Sequence, residues 1–342
     1  MLRLGRMFGS QEGVMADIVR VGFIGAGGIA KAHAKALAEV ADVELIAVTD
    51  ASPEAADKFA ETAGLHVYAS ARDLVRDAGV DAVYILVPPF ARGEAEFAAI
   101  EAGVPFFIEK PLGLDMKLLH EISTEIRIQD HLHSVGYMNR YRAGVNEVRR
   151  LLASDHGIMA FGGWFGGTPG AHPWFTDASK SGGQFHEQVT HTVDLARYLL
   201  GEATEVFAYA AHGFNVGIAG YSMDDALTVA IRFQSGAVAN LMASMSTNVG
   251  GRVFLDVHSL RHNMHFTGWE HSVVIETQGS SPLEIKGEDN IFSIEDRVFI
   301  EAVRTGDRSG IRSSYADGLK SAEISLAANE SARTGRPVAI EG

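Results

Sequence analysis

The chain has no cysteine in 342 residues, which excludes disulfides and thiolate metal sites and fits a reducing, cytoplasmic setting. Positive charge is also scarce: 29 Lys and Arg stand against 43 Asp and Glu, a formal net charge of −14. A surface of that sign repels phosphate backbones and anionic lipid, so neither nucleic acid nor a membrane is expected as a partner. No uninterrupted apolar run approaches the roughly 20 residues of a membrane span. Residues 1–14 hold Arg3 and Arg6 but no continuous apolar stretch of the kind a secretory signal needs. Met15 begins a more natural start, and residues 1–17 are read as a disordered extension. What remains is 46% apolar and 21% charged, the balance of a soluble protein with ample core, and the length suggests two domains.

The most informative segment lies just past that extension. Gly25-Ala26-Gly27-Gly28-Ile29-Ala30 follows directly on the apolar run 18–24. A buried strand that ends in G-x-G-x-x-A and opens into a helix is a usual cradle for a dinucleotide pyrophosphate. Gly25 permits the tight turn, and Gly27 lets the backbone approach the phosphates. Gly28 and Ile29 start the helix whose N–H groups face the anion, and Ala30 is small enough for close helix–strand packing. Asp50 closes a second apolar run, 43–49, twenty residues after Ala30. A carboxylate there would accept hydrogen bonds from the adenosine ribose hydroxyls. It would also repel a 2′-phosphate, and no arginine follows it in Ala51-Ser52-Pro53, so NAD is favoured over NADP.

Strand-like runs at 18–24, 43–49, 67–69, 82–87, 106–108 and 134–137 alternate with helical patterns. Ser52 before Pro53 and Ser70 before Asp73 are N-cap signals, and Gly103 should stop a helix over 92–102. The alternation predicts a doubly wound parallel sheet of Rossmann type over 18–138, with ligands beyond the carboxyl ends of its strands. After Tyr137 the pattern changes. A helix over about 143–153 leads to a glycine- and aromatic-rich segment, 161–175, and then to a helix from 184 to 200 ended by Gly201. Strand-like runs follow at 205–211, 226–233, 237–244, 252–258 and 272–276, with a hairpin turn at Gln234-Ser235-Gly236. Helices at 294–305 and 314–334 finish the chain. Residues 139–342 are therefore read as an α+β domain on a mainly antiparallel sheet, serving substrate binding and oligomerisation.

Three constellations could carry chemistry. Val87-Pro88-Pro89 ends the fourth strand, either shaping a rigid turn at the cofactor crevice or merely terminating the strand. Glu109-Lys110-Pro111 ends the fifth, and Pro111 keeps Lys110 out of a helical backbone. Its ammonium could donate to a substrate hydroxyl and to the nicotinamide ribose, or it could be a solvated surface lysine. In the predicted 184–200 helix, Glu187 and His191 are four apart, about 40° from each other on one face, with Asp194 further along the stripe. A histidine beside a carboxylate is a general base suited to neutral pH. His186-Glu187 begins a zinc-protease pattern, but position 190 is threonine where a second histidine is needed, so no metal is expected. His258, His262, His265 and His271 form the other histidine cluster, with no carboxylate pattern to complete a metal site. Trp164, Phe165, His172, Trp174 and Phe175 could stack on a sugar ring or pack at an interface.

With the glycine loop, these patterns resemble the glucose–fructose oxidoreductase/inositol dehydrogenase/rhizopine-catabolism (Gfo/Idh/MocA) family of two-domain nicotinamide oxidoreductases. The likeness runs from about Ile18 to the closing segments 299–307 and 331–338. By that resemblance Lys110 is the catalytic lysine of the Glu-Lys-Pro motif and His191 the acid/base. Glu187 stands where many members have aspartate, and Asn139-Arg140 matches the segment that opens the substrate domain. Many members carry Thr-Pro-Asn and a histidine three positions on; this chain has Val87-Pro88-Pro89 and Arg92, so backbone contacts should replace a side-chain amide near the nicotinamide. The implied cofactor-binding set is Gly25, Gly27, Gly28, Ile29, Asp50, Val87, Pro88, Pro89, Glu109 and Lys110. Asn139, Arg140, Trp164, Trp174, Glu187 and His191 would meet the substrate. The implied reaction is hydride transfer between a secondary alcohol of a sugar, cyclitol or polyol and NAD, with NADP also accepted by several members. A homodimer or homotetramer is the expected assembly. Two other readings keep the fold: a nucleotide-binding sensor without turnover, and a sugar–sugar oxidoreductase or eliminase with retained cofactor.

Overall fold

The computed structural model describes residues 18–167 and 173–340, so the expected extension over 1–17 and His172 lie outside the described residues. Six strands, β1 (Val19–Ile24), β2 (Val43–Thr49), β3 (His66–Val67), β4 (Ala82–Ile85), β5 (Phe106–Ile108) and β6 (His133–Val135), form one parallel sheet in the order 3-2-1-4-5-6. Helices α1 (Gly28–Leu37), α2 (Pro53–Ala63), α3 (Ala71–Asp77), α4 (Glu94–Ala102) and α5 (Met116–Ile128) connect them. The central strands are buried on both faces, which is why Ala-Val-Tyr-Ile and Phe-Phe-Ile read as continuous apolar runs. The capping signals hold: Ser52 and Ser70 hydroxyls accept from Ala55 and Asp73 amides, and Gly103 takes the left-handed conformation.

The second sheet has nine strands: β7 (Gly157–Phe165), β8 (Ala203–Ala211), β9 (Ala226–Phe233), β10 (Val238–Ser244), β11 (Arg252–Ser259), β12 (His262–Thr267), β13 (Ser272–Thr277), β14 (Leu283–Ile285) and β15 (Val338–Ala339). It is antiparallel except where β7 runs parallel to β10. Four of these strands, β7, β12, β14 and β15, have no counterpart in the sequence reading. β7 occupies much of the glycine-rich stretch, and its glycines serve packing: a Cβ at Gly162 would lie 2.6 Å from the Phe254 carbonyl oxygen. β12 passes through the histidine cluster, with Met264 and Phe266 turned inward and Asn263 outward.

Helices α6 (Ala143–Leu152), α7 (Pro173–Thr176), α8 (Ala178–Ser181), α9 (Gly183–Glu187), α10 (Thr190–Leu200), α11 (Ile291–Thr305) and α12 (Tyr315–Thr334) complete the described residues. The single helix expected over 184–200 is broken. The Val189 amide reaches back five residues to the Gln184 carbonyl, and the Thr192 amide only three to Val189. The backbone therefore changes course between Glu187 and His191. Apolar residues of α6, α10 and α12 cover one face of the second sheet. Met159, Phe161, Tyr209 and Val238 remain exposed on β7, β8 and β10.

Candidate active site

The glycine turn has the geometry its sequence implies. Gly25 sits at φ +111°, and a Cβ there would lie 2.9 Å from the Leu86 carbonyl. At Gly27 and Gly28 no protein atom lies within 4 Å of where a Cβ would stand. Backbone N–H groups at the start of α1 thus have an open approach, which fits an anionic pyrophosphate. Asp50 Oδ2 accepts from the Ala26 amide at 2.7 Å, and Oδ1 accepts from the Ser52 amide at 2.8 Å. The carboxylate expected at the ribose therefore also braces the loop. Val87 and Pro88 are half-buried beyond the end of β4, and Pro89–Ala91 forms a short 3-10 turn.

At the tip of β5, Lys110 Nζ donates to the Glu187 carbonyl oxygen at 2.9 Å and to its Oε1 at 3.2 Å. Both side chains are largely buried. This contact corrects the expected pairing: Glu187 engages the lysine. Glu109 also departs from expectation. Its carboxylate turns into the protein, where Oε2 accepts from the Lys110 amide at 3.0 Å and Oε1 lies 3.1 Å from His33 Nε2. Both carboxylate oxygens of this buried side chain are thus engaged within the protein.

His191 is buried at the start of α10, with Nδ1 lacking a hydrogen-bond partner. Tyr137 and Trp269 approach its ring edge-on at 6.3 and 6.0 Å between centroids. Burial first, then the charge of Lys110, with His271 and Arg142 adding to it, holds its pKa well below the usual histidine value. The imidazole is therefore in its neutral, unprotonated form near pH 7.

Asn139 lines the same region: its Oδ1 accepts from Arg142 Nε at 2.8 Å, and its Nδ2 lies 3.4 Å from His271 Nε2. Arg140 does not join it. Its guanidinium forms a bidentate pair with Asp194 at 2.8 and 2.7 Å and donates to the Arg312 carbonyl at 2.7 Å. Both side chains are 2% exposed, so Arg140 and Asp194 are structural partners rather than substrate or catalytic groups. Trp164 packs edge-on against Trp269 at 5.5 Å, and its carbonyl accepts from Gln184 Nε2 at 3.0 Å. Trp174 joins Phe175, Met223 and Met245 in a small cluster and approaches Phe90, just beyond the Val87-Pro88-Pro89 turn.

Sequence reasoning missed Trp269, Arg142 and the site role of His271. Arg142 donates to the Trp269 carbonyl at 3.1 Å, and His271 adopts a left-handed φ of +51°. The available signal was Gly268-Trp269-Glu270-His271 between two strand-like runs: polar and aromatic residues in a tight hairpin, aimed back at the helix carrying His191. Within the histidine cluster, His265 Nδ1 pairs with Asp256 at 2.8 Å across β11 and β12.

Residues 19–137 match the Gfo/Idh/MocA model for an oxidoreductase family with an NAD-binding Rossmann fold, and residues 156–268 match the Gfo/Idh/MocA C-terminal domain. The chain belongs to the Gfo/Idh/MocA oxidoreductase family. It is 29% identical over 349 residues to scyllo-inositol 2-dehydrogenase (NAD(+)) of Bacillus subtilis, covering 96% of this chain and 98% of that one. It is 30% identical over 240 residues to inositol 2-dehydrogenase 4 of Saccharopolyspora erythraea, covering 69% of each chain. The crystal structure of a putative myo-inositol dehydrogenase from Sinorhizobium meliloti 1021 superposes with a TM-score of 0.79 at 27% identity, covering 94% of this chain and all of that one. The two-sheet architecture expected from the sequence is thus the family's own.

Proposed function

We propose that this family member moves a hydride between a secondary alcohol of a sugar, cyclitol or related polyol and NAD, with Lys110 orienting the oxygen and His191 acting as acid/base. What supports this reading is a largely buried ammonium at the tip of β5 whose charge acts on a neutral, buried imidazole at the start of α10. The open backbone at Gly27 and Gly28, with Asp50 behind the loop, fits a dinucleotide, whose nicotinamide supplies the hydride acceptor when bound. Glu187 holds Lys110 in place, leaving the ammonium able to donate to an alcohol oxygen. His191 takes the hydroxyl proton during oxidation. Its weakened basicity also lets it return that proton readily in the reverse direction.

Trp164 and Trp269 offer flat apolar faces for a ring's C–H surface, and the Asn139 amide, with one N–H directed at His271, has a second N–H for a hydroxyl. The names of the inositol-dehydrogenase relatives favour a cyclitol. The exposed apolar side chains of β7, β8 and β10 support a homodimer or homotetramer built through the outer face of the second sheet.

The test is NADH formation at 340 nm with NAD⁺ or NADP⁺ against scyllo-inositol, myo-inositol, other polyols and aldoses. Lys110→Ala and His191→Ala should each lose about 10²–10⁴-fold in kcat while still binding NADH. Near wild-type turnover by either variant refutes its assigned role. NADH released in less than stoichiometric amounts would point instead to sugar–sugar exchange or elimination on a retained cofactor.

A further inference from the structure

The backbone around Lys110 is gripped by two buried cationic side chains that the proposed reaction does not consume. β5 ends at Ile108, and the Glu109 amide makes the final ladder bond to the Ile85 carbonyl at 3.1 Å. Beyond it, the segment depends on side chains. From one direction Arg92 Nη2 donates to the Glu109 carbonyl at 2.6 Å and to the Pro111 carbonyl at 3.2 Å, while Nη1 donates to the Ile85 carbonyl at 3.3 Å. From the other, the Glu109 carboxylate spans the Lys110 amide and His33 Nε2, at 3.0 and 3.1 Å. His33 Nδ1 in turn lies 2.9 Å from Asp296 Oδ1 on α11.

His33, Asp296 and Arg92 are all buried. Burial opposes a charge on His33, but Asp296 and Glu109, one on each ring nitrogen, outweigh it and raise its pKa well above the usual value. An imidazolium between two carboxylates makes both bonds charge-assisted.

We propose that Arg92 and His33 are positioning residues that fix the location of Lys110 relative to the cofactor cradle. The inference rests on the proposed role of Lys110. Arg92 brackets the lysine by its two neighbouring carbonyls and ties both to the end of β4. His33 belongs to α1, the helix that begins at the glycine turn, so Glu109 registers the lysine against that helix. Arg92 also stands where the family pattern noted above has histidine. A guanidinium presents five N–H donors in a fork, whereas an imidazole presents at most two, so the three-carbonyl bridge is a feature of the arginine. A displacement of about 1 Å at a reacting group can cost about 10²-fold in rate, which is the scale of effect such bracing can control.

The test uses the full chain and its Arg92→Met, Arg92→Lys and His33→Gln variants. Amide hydrogen exchange of peptides covering 106–112 is compared with that of β1 and β4, alongside NADH affinity and steady-state kinetics with the best substrate from the screen. Arg92→Met and His33→Gln should speed exchange over 106–112 by about tenfold while β1 and β4 stay protected. Their kcat should fall about 10²-fold with the KM for NAD⁺ within about threefold, and Arg92→Lys should recover part of the loss. Unchanged exchange over 106–112 overturns the proposal. So does acceleration spread evenly through the parallel sheet, or a loss confined to NADH affinity. If His33→Gln does not fold, Asp296→Asn, which keeps the volume and removes the charge facing Nδ1, takes its place under the same criteria. If the wild-type chain oxidises no polyol, the functional reading fails, whereas the exchange data still decide whether these residues hold the lysine.

Discussion

Removing the carboxylate of Asp194 should cost stability far more than substrate affinity. Asp194 receives two bonds from Arg140, at 2.8 and 2.7 Å, and one from Ser321 Oγ at 2.8 Å. Breaking a buried pair from one side typically costs about 3–5 kcal/mol, because the surviving charge is left uncompensated. Asp317, 3.3 Å from Arg140 Nη1 and partly exposed, would still face the guanidinium after Asp194→Ala, which places the loss near the lower bound, about 3 kcal/mol. At about 2 °C per kcal/mol for a chain of this size, Tm should drop by about 6 °C. Arg140→Met should produce a similar drop. The double variant should lose less than the sum of the two, with about 1–3 kcal/mol of coupling. Differential scanning calorimetry and urea titration measure the stabilities, and the KM of the best polyol serves as the control. Additive shifts below about 1 °C would refute the buried-pair argument. A tenfold rise in KM for Arg140→Met at unchanged Tm would return Arg140 to the substrate.

Three further outcomes follow from the geometry. Gly27→Ala places its methyl where no protein atom lies within 4 Å, so folding should be unaffected. Its NADH affinity should nonetheless fall about tenfold, or about 1.4 kcal/mol, whereas Gly25→Ala should lose stability as well. Equal Tm losses in the two variants, by scanning fluorimetry, would count against this. The depressed pKa of His191 keeps its base form down to acid pH, so the acidic limb of kcat/KM for oxidation should lie below 6.5 and disappear in His191→Gln. A limb at or above 6.5 contradicts the stated environment. Burial lowers His131, His186 and His271 to about 4, so the unfolded chain binds protons first as pH falls. Their contribution to stability is complete above about 6.5 and is lost as pH falls toward 4, whereas that of His33, whose pKa is raised, is full below 6.5 and fades only at higher pH. Urea midpoints that stay flat between pH 7 and pH 4.5 would refute the assignment of the depressed group.

Local signals made the cofactor half legible. A glycine turn after an apolar run, serine caps and strands of buried residues all depend on neighbours in sequence, and the structure repeats them almost residue for residue. Lys110 could be placed because a strand tip and a following proline fix it locally. Glu187 could not, because helical spacing assumes an unbroken helix and says nothing of the lysine 77 positions away that engages its carboxylate. Arg140 was legible as a charge but not as a pair, since Asp194 lies 54 residues further on. β7 was obscured because its glycines answer to carbonyls of neighbouring strands that sequence spacing does not reveal. His271 and Trp269 reach the site through the folding of a hairpin, whose Gly268-Trp269-Glu270-His271 turn is a local signal but whose target, the start of α10, is set only by tertiary packing.

The tail of the chain ties its two halves together. Phe299 and Ile300 of α11 complete a core cluster of the parallel sheet, Tyr315 and Leu319 of α12 enter another, and Ile324 and Ala328 continue into the core of the larger sheet. One helix, α12, is therefore common property of both lobes, and its burial in both cores opposes a free swing of one lobe from the other. A graft that exchanged only the first 138 residues would strip that lobe of part of its own interior; a workable transplant has to carry residues 291–334 with it.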